Sequence, residues 1–403
     1  MTSSTRTGLL AGIKILDFSR HLSGPYGTMM LADMGADVIK IEPLSGDPVR
    51  GHIRIDGDAE FGLVFGSVNR NKRSIAVDLK SPEGDALVRR LVAETDIVYT
   101  NLRPGAMDRL GLGFDALCEV NPTVVYVSLT GYGMTGPRSS DPAFDLAIQA
   151  LSGGMSVTGM PGGPPVRAGI PISDLCGGMS AALGALAGLA YRDRARKPVL
   201  IDLSLLDTQV SMLAYWGAMA LNTNQIPGPQ GSGNSHIIPY GAVQTADGHI
   251  AIAPYDDSFW RRLCIAAGLQ HLIDDPRFLT NELRVANKDQ LAAILGSTFK
   301  TRTSSEWIKI LVDGGVPASP INNIAEALAD PQITAREMLT EVAAGSAKWK
   351  LVGDPIKSPV TSDSEPTPPP RLGEHTRSVL HELGISLADI NHLVETGVVK
   401  AAS

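Results

Sequence analysis

The chain has little of what many catalytic and binding machineries require. Its 403 residues contain three cysteines, Cys118, Cys176 and Cys264, far apart and without a CxxC pair. That spacing sets aside a disulfide framework and a thiolate metal site, and fits buried thiols in a reducing compartment. Positive charge is in deficit: 35 Lys and Arg face 42 Asp and Glu, a net charge of −7. Such a balance gives no electrostatic footprint for nucleic acid or an anionic membrane. There is no GxSxG elbow, no GxxxxGK[ST] loop and no HExxH, and the eight histidines show no metal-ligand spacing. Serine-hydrolase, P-loop and zinc-hydrolase chemistries therefore lack their groups. The first twenty residues carry no secretory apolar region. The single long uncharged run, residues 175–191, is glycine-rich and slightly short for a bilayer, which predicts a core helix. The expectation is a cytoplasmic protein with no nucleic acid, membrane or metal partner.

What is present is an alternation of short β-branched runs with helical ones. A chain of this length predicts two domains. Residues 13–18 (IKILDF), 37–42 (DVIKIE), 74–79 (SIAVDL), 96–100 (DIVYT), 123–129 (TVVYVSL) and 199–204 (VLIDLS) have the composition of buried strands. Helices are predicted at 25–34, from Pro82 after an N-cap at Ser81, at about 104–120, and over 205–222. This rhythm predicts an α/β, doubly wound parallel sheet. Beyond it, residues 223–236 (TNQIPGPQGSGNSH) suit a linker or mobile flap, and residues 241–253 form a hairpin turning at 246–248. Helices near 258–267, 288–299 and 304–313 complete a second, mainly helical region. Residues 361–371 read as extended, followed by two short helices at about 374–383 and 386–394.

Two local features bear on chemistry. The loop at 130–142 contains GYGMTG, a formal match to G-x-G-x-x-G after a strand. PRSSDP follows at once, so no helix opens where a pyrophosphate would sit, and a turn-rich site loop is the better account. Asp174 falls at or just before the first turn of the glycine- and alanine-rich run. There a carboxylate accepts hydrogen bonds from free helix N–H groups and meets the positive end of the dipole. Both effects would hold it ionised, as a carboxylate nucleophile requires. An ordinary N-cap explains the same pattern locally. His21 and His236 lie in glycine-containing loops and could meet a ligand, although a lone loop histidine is more often just solvated.

Residues 10–50 (LAGIKILDFSRHLSGPYGTMMLADMGADVIKIEPLSGDPVR) resemble the opening of the class III coenzyme A transferases, a superfamily that includes the α-methylacyl-CoA racemases. The resemblance continues through NRNKRSIAVDLKSPEG, NLRPGAMDRLGL, NPTVVYVSLTGYGMTGP and PISDLCGGMSAALGAL, then GNSHIIPYGAVQTADGHIAIA and GVPASPINNIAEALADPQITAREML. It spans about residues 8–375. It implies a large Rossmann-like domain over 1–205, a linker and glycine-rich flap over 206–240, a small α+β domain over 241–330, and a return linker with C-terminal helices over 331–403. An interlocked homodimer is also implied. The substrates would be an acyl-CoA and a small carboxylic acid, with no prosthetic group.

By the same resemblance, Asp174 is the nucleophile that forms mixed-anhydride and aspartyl-CoA intermediates. Tyr132 lies near the thioester, and the segment around Gly231 and Gly233 closes over it. Coenzyme A would meet Ser19, Arg20, His21, Ser23, Asn101 and Arg109, with Lys40 and Arg103 as further motif positions. For each cation a solvated charge is an equal alternative. Leu22 stands where formyl-CoA transferases have glutamine. Phe144 stands where the racemases have a histidine base, so two-base racemisation loses one base. A racemase or a non-catalytic acyl-CoA-binding protein are the remaining alternatives.

Overall fold

The computed structural model describes residues 7–54, 62–344, 347–360 and 365–402. The chain forms two compact units, one from Met1–Gly154, Arg167–Asn224 and Thr334–Ser403, the other from Met155–Val166 and Gln225–Ile333. The boundary differs from a division at 205, because residues 205–224 stay with the first unit and residues 155–166 join the second.

The first unit is built on a seven-stranded sheet. Six strands are parallel: β1 (Lys14–Asp17), β2 (Asp37–Glu42), β3 (Lys72–Val77), β4 (Ile97–Thr100), β5 (Val125–Thr130) and β6 (Val199–Ser204). Their spatial order is β3-β2-β1-β4-β5-β6. Adjacent residues face opposite ways along each strand. Leu16, Ile39, Val98 and Tyr126 pack with Leu87, Leu91, Val379 and Leu380 on one face. Ile15, Val38, Ile97 and Val127 pack with Leu31, Ala181 and Ala185 on the other. Helices thus cover both faces, as the β-branched runs predict.

Several details depart from expectation. The short strand Val399–Lys400 pairs antiparallel with β3, so one edge is not parallel. The helix expected over 205–222 breaks into Leu205–Ser211 and Ala214–Asn222, with Ala214 at φ 44°. The segment read as a return linker contains an antiparallel hairpin, Leu339–Ala344 with Ala347–Val352. Its Trp349 joins Val49 and Phe65 in a small core. Of residues 361–371, those at 361–364 lie outside the described residues.

The Ile172–Ala195 helix is long and apolar enough to cross a membrane by length and composition, yet one face is committed to the sheet and to the Ser23–Asp33 helix. The two helices meet at glycines. A Cβ on Gly27 would lie 2.5 Å from the Gly178 carbonyl oxygen, and one on Gly178 would strike the Ser23 carbonyl and come within 3.1 Å of the Gly27 nitrogen. Only hydrogen fits at both positions.

The second unit has a three-stranded antiparallel sheet, β7 (Gly241–Gln244), β8 (His249–Ile252) and β9 (Ala318–Pro320). Helices Asp257–Ala266, Lys288–Phe299 and Ser304–Asp313 pack with it around Ile250, Trp260, Leu263, Leu291, Phe299 and Trp307.

Gly178→Ala is expected to lower unfolding stability by roughly 1–3 kcal/mol, because the added methyl meets backbone that has no rotamer to escape into. Gly296→Ala, in the Lys288–Phe299 helix with open space around it, should be neutral or gain up to about 1 kcal/mol. Urea denaturation of both variants checks the contrast.

Candidate active site

The strand order reverses between β1 and β4, since β2 and β3 lie to one side of β1 and β5 and β6 lie beyond β4. Ligands of open α/β sheets bind in the crevice at the carboxyl ends of strands flanking such a reversal. The loop of residues 19–23 leaves β1 there, and Asn101 leaves β4 beside it. Asn101 grips that loop twice, its Oδ1 accepting from the Arg20 N–H at 2.8 Å and its Nδ2 donating to the Arg20 carbonyl at 2.7 Å. Its Nδ2 is also 3.4 Å from the Ser23 Oγ. His21 has φ 65°, a left-handed conformation that histidine tolerates better than bulkier residues.

Beneath the loop lies a buried polar network that the sequence did not announce. Asp17 and Lys72 are both fully buried and 3.1 Å apart. The Asp17 carboxylate also accepts from the Ser19 N–H at 2.9 Å and the Thr28 hydroxyl at 2.7 Å. Lys72 completes its three donations with the Pro25 carbonyl and Asn69 Oδ1. Burial pushes the Lys72 ammonium down to about 8. Burial would raise Asp17, but the charges of Lys72 and Lys40 and its hydrogen bonds outweigh it and hold it below the usual range.

Asp174 sits in the first turn of Ile172–Ala195, whose N-cap is Pro171 with no side-chain cap. The capping role belongs to Asp145, which sequence inspection missed. Its Oδ1 accepts from the Ser173 N–H at 2.9 Å and its Oδ2 from the Gln149 amide at 2.7 Å. Gln149 in turn accepts from the Ala168 N–H at 2.9 Å, so the approach to Asp174 is pinned from one side. The expectation that Asp174 is held ionised is corrected. Burial, then the charge of Asp145, pushes it up to about 7. Helix-end effects are small beside desolvation of a carboxylate that has no cation partner among the described residues.

Phe144 precedes Asp145, stands 69% exposed, and presents its ring edge-on to His21 with centroids 6.1 Å apart. The segment bearing Asp145 and the loop after β1 therefore share one region. Tyr132 is half-buried in the loop after β5, which is tied down by the Gly133 N–H to Thr130 Oγ1 at 2.9 Å. The next helix begins only at Asp145, in keeping with a loop that cradles no pyrophosphate.

The remaining cation positions divide sharply. Arg20, Arg103 and Arg109 carry no side-chain ion pair among the described residues, and Arg103 and Arg109 are exposed. They are free to meet an anion. Lys40 is not: it is 1% exposed, donates to the Ser19 carbonyl at 2.6 Å, and lies 3.1 Å from Asp47. Direct contact between Lys40 and a substrate phosphate is corrected to an internal role.

Gly231 and Gly233 belong to the second unit. Gly231, at φ 63°, donates its N–H to the Gly159 carbonyl at 2.8 Å. Both glycines border a cavity of about 520 Å³ whose lining includes Tyr240, Lys288 and Leu291. Among the described residues no group of three or more His, Cys, Asp or Glu side chains is placed to hold a metal.

CoA-transferase family III matches residues 10–376. An acyl-CoA transferase of Fusarium pseudograminearum is 39% identical, with 99% of this chain and 90% of that protein aligned. Human succinyl-CoA:glutarate CoA-transferase is 37% identical over 97% of this chain and 90% of its own. The crystal structure of a CaiB/BaiF family protein from Brucella suis superposes with a TM-score of 0.82 at 34% identity, covering 94% of this chain and all of that one. The chain belongs to CoA-transferase family III.

Proposed function

We propose that the protein moves coenzyme A from an acyl-CoA donor to a free carboxylic acid, with Asp174 as covalent nucleophile. A carboxylate oxygen of Asp174 attacks the thioester carbonyl, and the C–S bond breaks to give an acyl-aspartyl anhydride and the coenzyme A thiolate. The thiolate attacks the aspartyl carbonyl, releasing the donor carboxylate and leaving an aspartyl-CoA thioester. The acceptor carboxylate attacks that thioester, forming a second anhydride and expelling the thiolate. Attack of the thiolate on the acceptor acyl carbon yields the new thioester and restores Asp174. Each step exchanges acyl groups of similar activation, so no external energy source is needed.

The observation that carries this reading is Asp174, lodged without a cation partner among the described residues in the first turn of a glycine-rich helix that packs directly against the Ser23–Asp33 helix. Its raised basicity makes the ionised form a stronger nucleophile, while burial limits hydrolysis of the anhydride. Arg20, Arg103 and Arg109 are suited to the phosphates of coenzyme A. The human relative is named for succinyl-CoA and glutarate, so short dicarboxylic acids are the acceptor class to test first. Phe144 carries no proton and disfavours α-proton exchange.

The outer face of Ile172–Ala195 exposes Met179, Leu183 and Tyr191 at helical spacing, with Leu183 69% exposed. An apolar stripe on so long a helix supports a homodimer in which a second copy covers it. Leu183→Asp is expected to shift light-scattering mass from two chains to one.

Asp174→Asn is expected to lose at least about 10³-fold in transfer while still binding coenzyme A, as measured by kinetics and calorimetry. Retained transfer would refute the nucleophile.

The acylation rate should rise with pH through about 7 as Asp174 ionises. Asp145→Asn keeps the Ser173 acceptor but removes the neighbouring charge, so the midpoint should move lower. Stability carries the opposite sign. A carboxylate raised in the folded state disfavours folding progressively as pH rises from its unfolded value through about 7. Asp174→Asn should therefore be more stable than the wild type above pH 7, with the difference disappearing below about pH 4.

A further inference from the structure

We propose that Lys40 and Asp47 form a buried two-ended clamp that fixes the loop of residues 19–23 in its coenzyme A-receiving conformation. They act as positioning residues, without touching the substrate. The proposal rests on the CoA-transferase function above, in that this loop is taken to receive coenzyme A.

The geometry is that of a frame around half-buried Arg20 and exposed His21. Lys40, from β2, donates to the Ser19 carbonyl at 2.6 Å. Asp47, just beyond the same strand, accepts from the His21 N–H at 3.3 Å through Oδ1. The two side chains are 1% and 0% exposed, with Nζ 3.1 Å from Oδ2. That oxygen has no directed hydrogen bond of its own, so the attraction is ionic. Lys40 thus holds the loop before Arg20 and Asp47 holds it after, while Asn101 holds Arg20 itself by both backbone atoms. His21, left-handed and therefore costly, is kept by these contacts.

Asp47 is braced in turn. Its N–H donates to Glu42 Oε2 at 3.0 Å, and its Oδ1 also accepts from the Val49 N–H at 3.1 Å. Glu42 forms a two-bond pair with Arg50 at 2.7 and 2.6 Å. Burial would raise Asp47, but the charge of Lys40 and its backbone hydrogen bonds hold it below the ordinary range.

A buried ion pair is a poor source of stability but a good source of uniqueness, because either charge left alone in the interior is expensive. Here the pair serves geometry. Arg20 and His21 stand on a backbone already held at the Ser19 carbonyl, the Arg20 amide and carbonyl and the His21 amide, so coenzyme A need not order the loop on binding.

The test is coenzyme A titrated by calorimetry into the full-length protein, with steady-state kinetics in parallel, for Lys40→Met, Lys40→Arg, Asp47→Asn and Arg20→Ala. Asp47→Asn preserves shape and keeps the Oδ1 acceptor, and covers the case in which Lys40→Met does not fold. The expectation is about tenfold weaker coenzyme A binding and a matching rise in KM for Lys40→Met and Asp47→Asn. At saturating substrate kcat should stay within about threefold of wild type, and Lys40→Arg should recover part of the affinity. Wild-type affinity in Lys40→Met or Asp47→Asn, with Arg20→Ala weakened, overturns the clamp and leaves the coenzyme A site standing. A fall in kcat with KM unchanged also overturns it. Unchanged affinity in Arg20→Ala as well removes the loop from the coenzyme A site, and the clamp with it.

Discussion

The contact between Gly27 and Gly178 is the constraint on which the first unit depends. Two helices remote in sequence approach closely enough that neither position has room for a methyl group. One helix begins at Ser23, directly after the loop that leaves β1. The other carries Asp174 one turn before Gly178. Their close approach therefore sets the spacing between the strand-end crevice and Asp174, the proposed nucleophile. Burial of Ala181, Ala182 and Ala185 on the same helix continues that packing toward β5. A helix made of larger apolar residues would bury more area but would push Asp174 away from the crevice.

Charge is distributed around this contact in two opposed ways. Asp17 and Asp47 are each paired with a buried lysine and held below the usual carboxylate range. Asp174 has no cation partner among the described residues, feels the charge of Asp145, and is pushed up to about 7. The paired carboxylates hold backbone in place; the unpaired one is left basic. Desolvation acts on all three; lysine charge and hydrogen bonds outweigh it at Asp17 and Asp47, whereas at Asp174 the charge of Asp145 adds to it. Such a separation of environments is how a fold devotes similar residues to support and to chemistry.

Much of this was legible in the sequence because it is local. The strands Asp37–Glu42 and Val199–Ser204 and the helix Ser304–Asp313 stand where composition and capping residues place them. Asp174 was legible as the acidic residue opening a glycine-rich helix. What was not legible depends on partners distant along the chain. The Val399–Lys400 strand has only two residues and is defined by pairing with β3. The Leu339–Ala344 hairpin owes part of its packing to Val49 and Phe65. Lys40 reads as a cation available to a phosphate until Ser19 and Asp47 enclose it. Asp145 gains its role only from the Ser173 N–H, 28 residues on. The ionisation of Asp174 was misjudged for the same reason, since burial is not a local property.

The most direct measurement of the central claim is peptide mass spectrometry after incubation with a pool of acyl-CoA donors and quenching with hydroxylamine. An activated carboxylate is converted to a hydroxamate, whereas a resting one is not. A hydroxamate on the peptide containing Asp174, absent when the donor is omitted, is the predicted result. An unmodified Asp174 with donors that the enzyme demonstrably turns over would contradict covalent catalysis at this residue.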